Sequence, residues 1–219
     1  MLIWAASQLV EARNRGLCLS RRMAATPFEI LRFTRRGTST RDYLRLKAAL
    51  DRLQSTSIVT SIRQSTARRM HRFSWINEWK EYADHRRAPG LELLLPDWFY
   101  AAVLDPAQLL TIDPAYFDLT GGFERWLYRL VRKHGGVQKE GWQFEFRHLY
   151  RKSGSVARFT DFAIDLRRIV TRQSLPGYRL TVHRARNDIE LLRFRAVSVA
   201  ARAKHADECI TSPRAVDKL

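Results

Sequence analysis

Between Arg158 and Arg195 the spacing of apolar residues changes from helical to alternating, and few folds accommodate that change in so short a stretch. Phe159, Phe162, Leu166 and Ile169 recur at three and four, which puts them on one stripe of a helix, with Asp161, Asp165, Arg168 and Arg172 on the other face. Leu175-Pro176-Gly177 is expected to end that helix, because proline lacks the backbone donor and glycine accepts a left-handed turn. Tyr178, Leu180 and Val182 then alternate with Arg179, Thr181 and His183. Arg186-Asn187-Asp188 makes a polar tip, and Ile189 to Phe194 returns. A surface helix followed by a basic hairpin is the winged-helix arrangement, in which the helix lies in a DNA major groove and the hairpin reaches flanking backbone or minor groove.

The charge points to the same class of partner. The net charge is +17, from 39 basic against 22 acidic residues. The cations are spread through Arg21–Arg41, Arg63–Arg72, Arg125–Lys133 and Arg147–Arg172 rather than confined to a tail. Arg accounts for 32 of the 39, a preference that codon bias in a GC-rich genome would produce. Codon bias does not produce an excess of cations over acids, so the partner indicated is nucleic acid. A hydrophobic fraction of 45%, with eleven Phe, seven Tyr and six Trp, fills real cores and excludes wholesale disorder. Cys18 and Cys209 supply neither a metal spacing nor a disulfide framework, which fits a reducing cytoplasm. Met1 to Val10 is apolar but runs into Glu11, Arg13 and Arg15 without the leader or cleavage site of a signal peptide. No stretch approaches about 18 uninterrupted apolar residues, so no membrane is expected.

A chain of 219 residues suits two domains of roughly 100 each. Leu2, Ile3, Ala6, Leu9 and Val10 make a helix that begins at or before Met1. Helices rarely start uncapped at a methionine, so the expectation is that the chain begins part-way into a domain or that its true start lies upstream. Gly16 closes this helix. Thr26-Pro27-Phe28-Glu29 opens the next with a capping box, and Gly37 closes it. Ser39 or Thr40 caps a third helix that buries Tyr43, Leu46, Leu50 and Leu53 and shows Arg41, Arg45 and Arg52 on its opposite face. Ser57–Arg63, Gln64–Arg69 and Met70–Trp79 read as strand, basic turn and return strand. The order recurs: a helix through Phe123, Trp126, Leu127, Leu130 and Val131 ended by Gly135-Gly136, a short strand Trp142–Phe146, a short helix Arg147–Lys152 ended by Gly154, then the helix and hairpin described first. One supersecondary unit is thus used twice at a period of roughly 120 residues. The expected fold class is α+β with tandem winged-helix domains at 1–88 and 120–196. Residues 89–119 form a junction packed between them, with a strand at Leu91–Leu95 and an Asp97-led helix to Leu104, and 197–219 is a disordered tail.

No catalytic residue, metal or cofactor is assigned, and the protein is not expected to be an enzyme. Lys152-Ser153 lacks the preceding glycines of a phosphate-cradling loop. His71, His85, His134, His148, His183 and His205 never pair as His-x-His or four apart, so a metal-dependent nickase has no ligand set. Tyr43, Tyr128 and Tyr150 sit in helical apolar patterns and read as packing residues rather than nucleophiles. Asp161 and Asp165 lie one turn apart among arginines and read as salt-bridge partners rather than a metal pair. Trp75, Trp79 and Tyr82 suit a packing edge better than a base-stacking platform. The DNA-binding residues expected are Arg41, Arg45, Arg52, Arg68 and Arg69 in the first half and Arg158, Arg168, Arg172, Arg184 and Arg186 in the second. Arg168 and Arg172 are placed to reach base edges. Arg167, about 100° round from Arg168, suits a phosphate or a salt bridge, and Arg184 and Arg186 suit backbone.

Longer strings carry a resemblance. Met23-Ala24-Ala25-Thr26-Pro27, Leu46-Lys47-Ala48-Ala49-Leu50-Asp51-Arg52-Leu53-Gln54, His71-Arg72-Phe73-Ser74-Trp75-Ile76, Pro96-Asp97-Trp98-Phe99-Tyr100, Gly122-Phe123-Glu124-Arg125-Trp126-Leu127-Tyr128-Arg129, Lys152-Ser153-Gly154-Ser155 and Leu175-Pro176-Gly177-Tyr178 occur in that order. Together they resemble the plasmid replication initiator protein A family of alphaproteobacteria and their relatives, over about residues 2 to 195. Family members usually carry further residues before the match to Leu2, and the tail after Arg195 departs from their pattern. The resemblance implies an initiator that binds double-stranded plasmid origin repeats, called iterons, helps a host helicase load, and often represses its own promoter. It implies a host helicase and host initiator proteins as partners, and it admits a homodimer. The alternative is a winged-helix transcriptional repressor that binds the same kind of site and recruits nothing, with an enzyme acting on DNA a distant third.

Overall fold

A computed structural model describes residues 1–60, 71–82, 90–136, 138 and 140–197, which divide into two compact units with the boundary between Leu109 and Leu110. Arg68, Arg69, the Gln64–Arg69 turn and residues 198–219 of the tail lie outside the described residues.

The helices of the first unit start where local chemistry dictates. α1 spans Leu2–Asn14 and α2 spans Pro27–Phe33. At the start of α2 the Thr26 hydroxyl accepts from the Glu29 N–H at 3.2 Å while the Glu29 carboxylate accepts from the Thr26 N–H at 2.7 Å. Such a box satisfies two otherwise orphaned donors, and its cap is worth about 1 kcal/mol. Ser39 and Asp42 repeat the device at α3 (Thr40–Ser55), so Ser39 is the cap. Leu46 and Leu50 are buried, with Tyr43 and Leu53 packed beside them, as the spacing requires.

Part of the expected Ser57–Trp79 hairpin is present, as Ile58–Thr60 pairs antiparallel with His71–Phe73, but its second arm ends before Trp79. The strands of this unit are β1 (Arg22–Ala25), β2 (Ile58–Thr60), β3 (His71–Phe73), β4 (Glu78–Tyr82) and β5 (Gly90–Leu94). β2 and β3 pair as a separate ribbon, whereas Trp79 belongs to β4, and the main sheet runs β1-β5-β4. The wing strands of this unit are therefore β4 and β5, not the two arms of a Ser57–Trp79 hairpin. The strand expected in a junction is the central strand of the first sheet, since Leu91 and Leu93 are fully buried, Glu92 faces out, and β5 has a partner on both sides. α4 (Asp97–Leu104) packs on α1, and the Arg13 guanidinium donates to the end carbonyls of Val103 at 3.4 Å and Leu104 at 3.2 Å. The expected junction is thus divided, its part through Leu109 lying in the first unit and the remainder in the second. Trp98 packs on Phe73 at 4.6 Å and edge-on to Trp75 at 5.6 Å, so Trp75 is a packing residue.

The second unit comprises α5 (Gly122–Gly135), β6 (Trp142–Glu145), α6 (Phe146–Ser153), α7 (Phe159–Arg172), β7 (Tyr178–Arg184) and β8 (Glu190–Ala196). Its sheet runs β6-β8-β7, the same first-last-middle order as β1-β5-β4. Both units are therefore winged helices with the order helix, strand, helix, helix, strand, strand, and the first carries the β2–β3 ribbon as an insertion before its wing. Phe162, Leu166 and Ile169 are buried, and Gly154 at φ +64° makes the turn between α6 and α7. α7 ends with Gln173 as its C-cap, just ahead of the Leu175-Pro176-Gly177 break expected to stop it. Gln173 is left-handed at φ +49°, a conformation that costs a non-glycine residue about 1 kcal/mol or more. Its side-chain amide offsets that cost by accepting from the Leu180 N–H at 3.0 Å and donating to the Leu180 carbonyl at 2.8 Å, which pins the helix end to β7. Tyr128 is buried and its oxygen accepts from the Asp113 N–H at 2.9 Å, while Tyr150 donates to the Ala157 carbonyl at 2.7 Å. Both are packing residues.

Candidate nucleic-acid interface

The solvent face of α7 carries Thr160, Ile164, Arg168, Thr171 and Arg172. Arg168 lies 3.1 Å from Asp165 and Arg158 lies 3.2 Å from Asp161, in pairs whose side chains are all at least 47% exposed. Exposed pairs of this kind are worth about 0–1 kcal/mol, so a phosphate or a base edge competes with them at little cost. Arg172 is exposed and makes no ion pair or side-chain hydrogen bond among the described residues. At the wing, Arg184 pairs with Asp188 at 3.1 Å, and Arg186 opens the 3-10 turn Arg186–Asp188, whose Asn187 is left-handed at φ +71°. Arg167 does not face outward with Arg168. It holds Glu190 of β8 by two bonds, of 3.1 and 2.6 Å, and this carboxylate raises its pKa further above the ordinary guanidinium value.

α3 repeats the layout. Arg41 and Arg52 are exposed and make no ion pair or side-chain hydrogen bond among the described residues, and Arg45 sits 3.7 Å from Asp42. Lys47 pairs with Glu81 of β4 at 2.7 Å, and Asp51 accepts from the Trp79 indole N–H at 3.1 Å. Matching the core stripes sets Tyr43, Leu46, Leu50 and Leu53 on Phe159, Phe162, Leu166 and Ile169, which sets Asp51 on Arg167. In both units the residue just after the central buried leucine ties the outward-facing helix to a wing strand. Sequence reasoning missed Lys47, Asp51, Glu81 and Glu190. The available signal was a charge at the edge of each exposed face, matched by an acceptor or an aromatic donor on the strand that follows.

The sheet of the second unit adds a cationic surface that was also missed. Arg179 stands opposite Arg195 across β7 and β8, with Arg193 two residues along on the same face, and all three are exposed. Like charges set directly opposite destabilise a ladder and favour an anion nearby. Among the described residues no group of three His, Cys, Asp or Glu could hold a metal ion, and no helix is long and apolar enough to cross a membrane.

Comparison with known proteins matches residues 1–180 to the family described as replication initiator protein A. The protein named "Putative replication protein" from Wigglesworthia glossinidia brevipalpis is 31% identical over 183 residues, which is 81% of this chain and 66% of that protein, so the chain spans just under two thirds of this relative's length. Two solved structures of domains 2 and 3 of RctB are similar at TM-scores of 0.63 and 0.59 with 13% identity, over 89% and 93% of this chain and 81% and 82% of theirs. At that identity the likeness is one of fold.

Proposed function

The chain belongs to the replication initiator protein A family, and from that premise we propose that it is a cytoplasmic plasmid replication initiator that binds double-stranded origin repeats through both winged helices. In this reading bound chains nucleate helicase loading through a host helicase and host initiator proteins, repress their own promoter, and catalyse nothing themselves. The observation that supports it is the repeated module: each unit presents an outward helix face with arginines and ties that helix to its wing through a polar contact. Carrying two such modules on one chain makes the second contact intramolecular, which raises affinity on a site with two contact regions. A net charge of +17 supplies the salt-dependent grip on phosphate. The test is transformation with the gene and its flanking DNA on a plasmid that cannot otherwise replicate. Colonies that depend on both the gene and directly repeated sites are expected. Duplex binding and promoter repression without replication would leave only the repressor reading.

A further inference from the structure

An exposed apolar residue stands on the outward face of each of the two helices. Ile164 is 44% exposed and Leu44 is 61% exposed, although each helix already buries a full core stripe on its other side. At about 100° per residue, Ile164 stands roughly 170° from the middle of the stripe Phe162, Ala163, Leu166 and Ile169. Ala48 stands roughly 180° from the corresponding stripe of α3. The core match that pairs Tyr43 with Phe159 also pairs Leu44 with Thr160, Ala48 with Ile164 and Arg52 with Arg168, and all six are exposed. Each helix therefore carries one outward row at i, i+4 and i+8: two methyl-bearing side chains, then an arginine.

We propose that these rows read thymine methyl groups beside a guanine: Ile164 and Thr160 in the second unit, and Ala48 and Leu44 in the first, contact thymine C5-methyls. Arg168 and Arg52 take the neighbouring guanine. The inference rests on the duplex-binding reading above and adds the bases read. Of the major-groove edges only thymine offers a methyl, and an aliphatic side chain is its complement, while an arginine fork fits guanine O6 and N7. Ile164 stands midway along an otherwise polar face with 44% of its surface open to solvent, and a docked thymine methyl would cover that surface. The surrounding cations commit that occupant to DNA: Arg158 at the N-cap of α7 with Arg168 and Arg172 along it, and Arg41, Arg45 and Arg52 on α3.

The full chain is used to select duplexes from a randomised pool, and each thymine of the selected sequence is then replaced by deoxyuridine, which removes only the methyl. Uracil at particular thymines is expected to weaken binding about fourfold per methyl, the worth of one buried CH2. Ile164→Ala, with a shorter side chain at that position, should respond less than the wild type to uracil at the thymine that α7 reads while keeping the wild-type response at the others, and Leu44→Ala should behave likewise for α3. Both substitutions fall on exposed helix positions where alanine is a good helix former, so folding is retained. Tolerance of uracil at every thymine, or a selected sequence without thymine, overturns the proposal and leaves the initiator reading standing. Failure to enrich any sequence overturns both.

Discussion

Breaking the Arg167–Glu190 pair should destabilise the second unit by a measurable and non-additive amount. The two bonds, of 3.1 and 2.6 Å, form a bidentate fork in which Glu190 keeps 16% of its exposure and Arg167 keeps 44%. A fully exposed pair is worth about 0.2–1 kcal/mol, and truncating a fully buried one costs about 3–5 kcal/mol. Half-screened and bidentate, this pair should contribute a coupling energy of about 1 kcal/mol. In a unit of this size that corresponds to roughly 4–8 °C in melting temperature. Arg167→Met keeps the aliphatic stem beside Phe146, whose ring centroid lies 5.8 Å from the guanidinium carbon. Glu190→Gln keeps the shape and loses the charge. Thermal melts of the wild type, both single variants and the double variant close a cycle in which the double should cost less than the sum of the singles. The difference should shrink in about 1 M salt, where the screening length falls to roughly 3 Å. Singles that add to within about 0.3 kcal/mol would refute the idea that this pair ties helix to wing.

Duplex affinity should fall steeply with salt, with a log–log slope of about 0.9 per neutralised phosphate and roughly 6 to 10 phosphates engaged, and a flat response in a salt titration would contradict a phosphate-led grip. Arg168→Ala should lose about 1–3 kcal/mol on the selected sequence and less on scrambled duplex, whereas Arg186→Ala should weaken both alike and lower the salt slope by about 1. Competition binding separates these outcomes, and equal, small losses for Arg168→Ala would reduce it to the partner of Asp165. Leu50→Ala should cost the first unit about 2–5 kcal/mol through the cavity left at a fully buried site, and an unchanged melt would mean that the α3 stripe is misplaced. Burial, and then Lys133, Lys152 and His148, hold the His134 pKa below its ordinary value. The folded state therefore takes up this proton less readily than the unfolded chain, and stability should be lost as pH falls through about 6.5. His134→Gln should melt with a smaller acid shift between pH 7.5 and 5.5, and an identical shift would count against His134.

What the sequence determined by itself is whatever chemistry acts within a few residues. The Thr26–Glu29 and Ser39–Asp42 boxes, the Gly154 turn and the stripes of α3 and α7 are set by neighbours three and four apart, so they are legible without a fold. The arginines of the outward faces follow from the same periodicity, because the core residues fix the opposite side. Pairing between distant strands is different, since hydrogen-bonding groups are identical along every backbone and only burial selects the partner. Trp79 looks like the end of one hairpin but begins another, and Gly90–Leu94 looks like a connector but fills the middle of a sheet. The helix end at Gln173 depended on an amide reaching the backbone of Leu180 across the turn, which outweighed the local penalty for a left-handed glutamine. Tertiary structure also sorted the charges. It tied Arg167 to Glu190 of the wing strand and set Arg179 opposite Arg195, which spacing alone could not decide, because each outcome depends on which strand lies alongside.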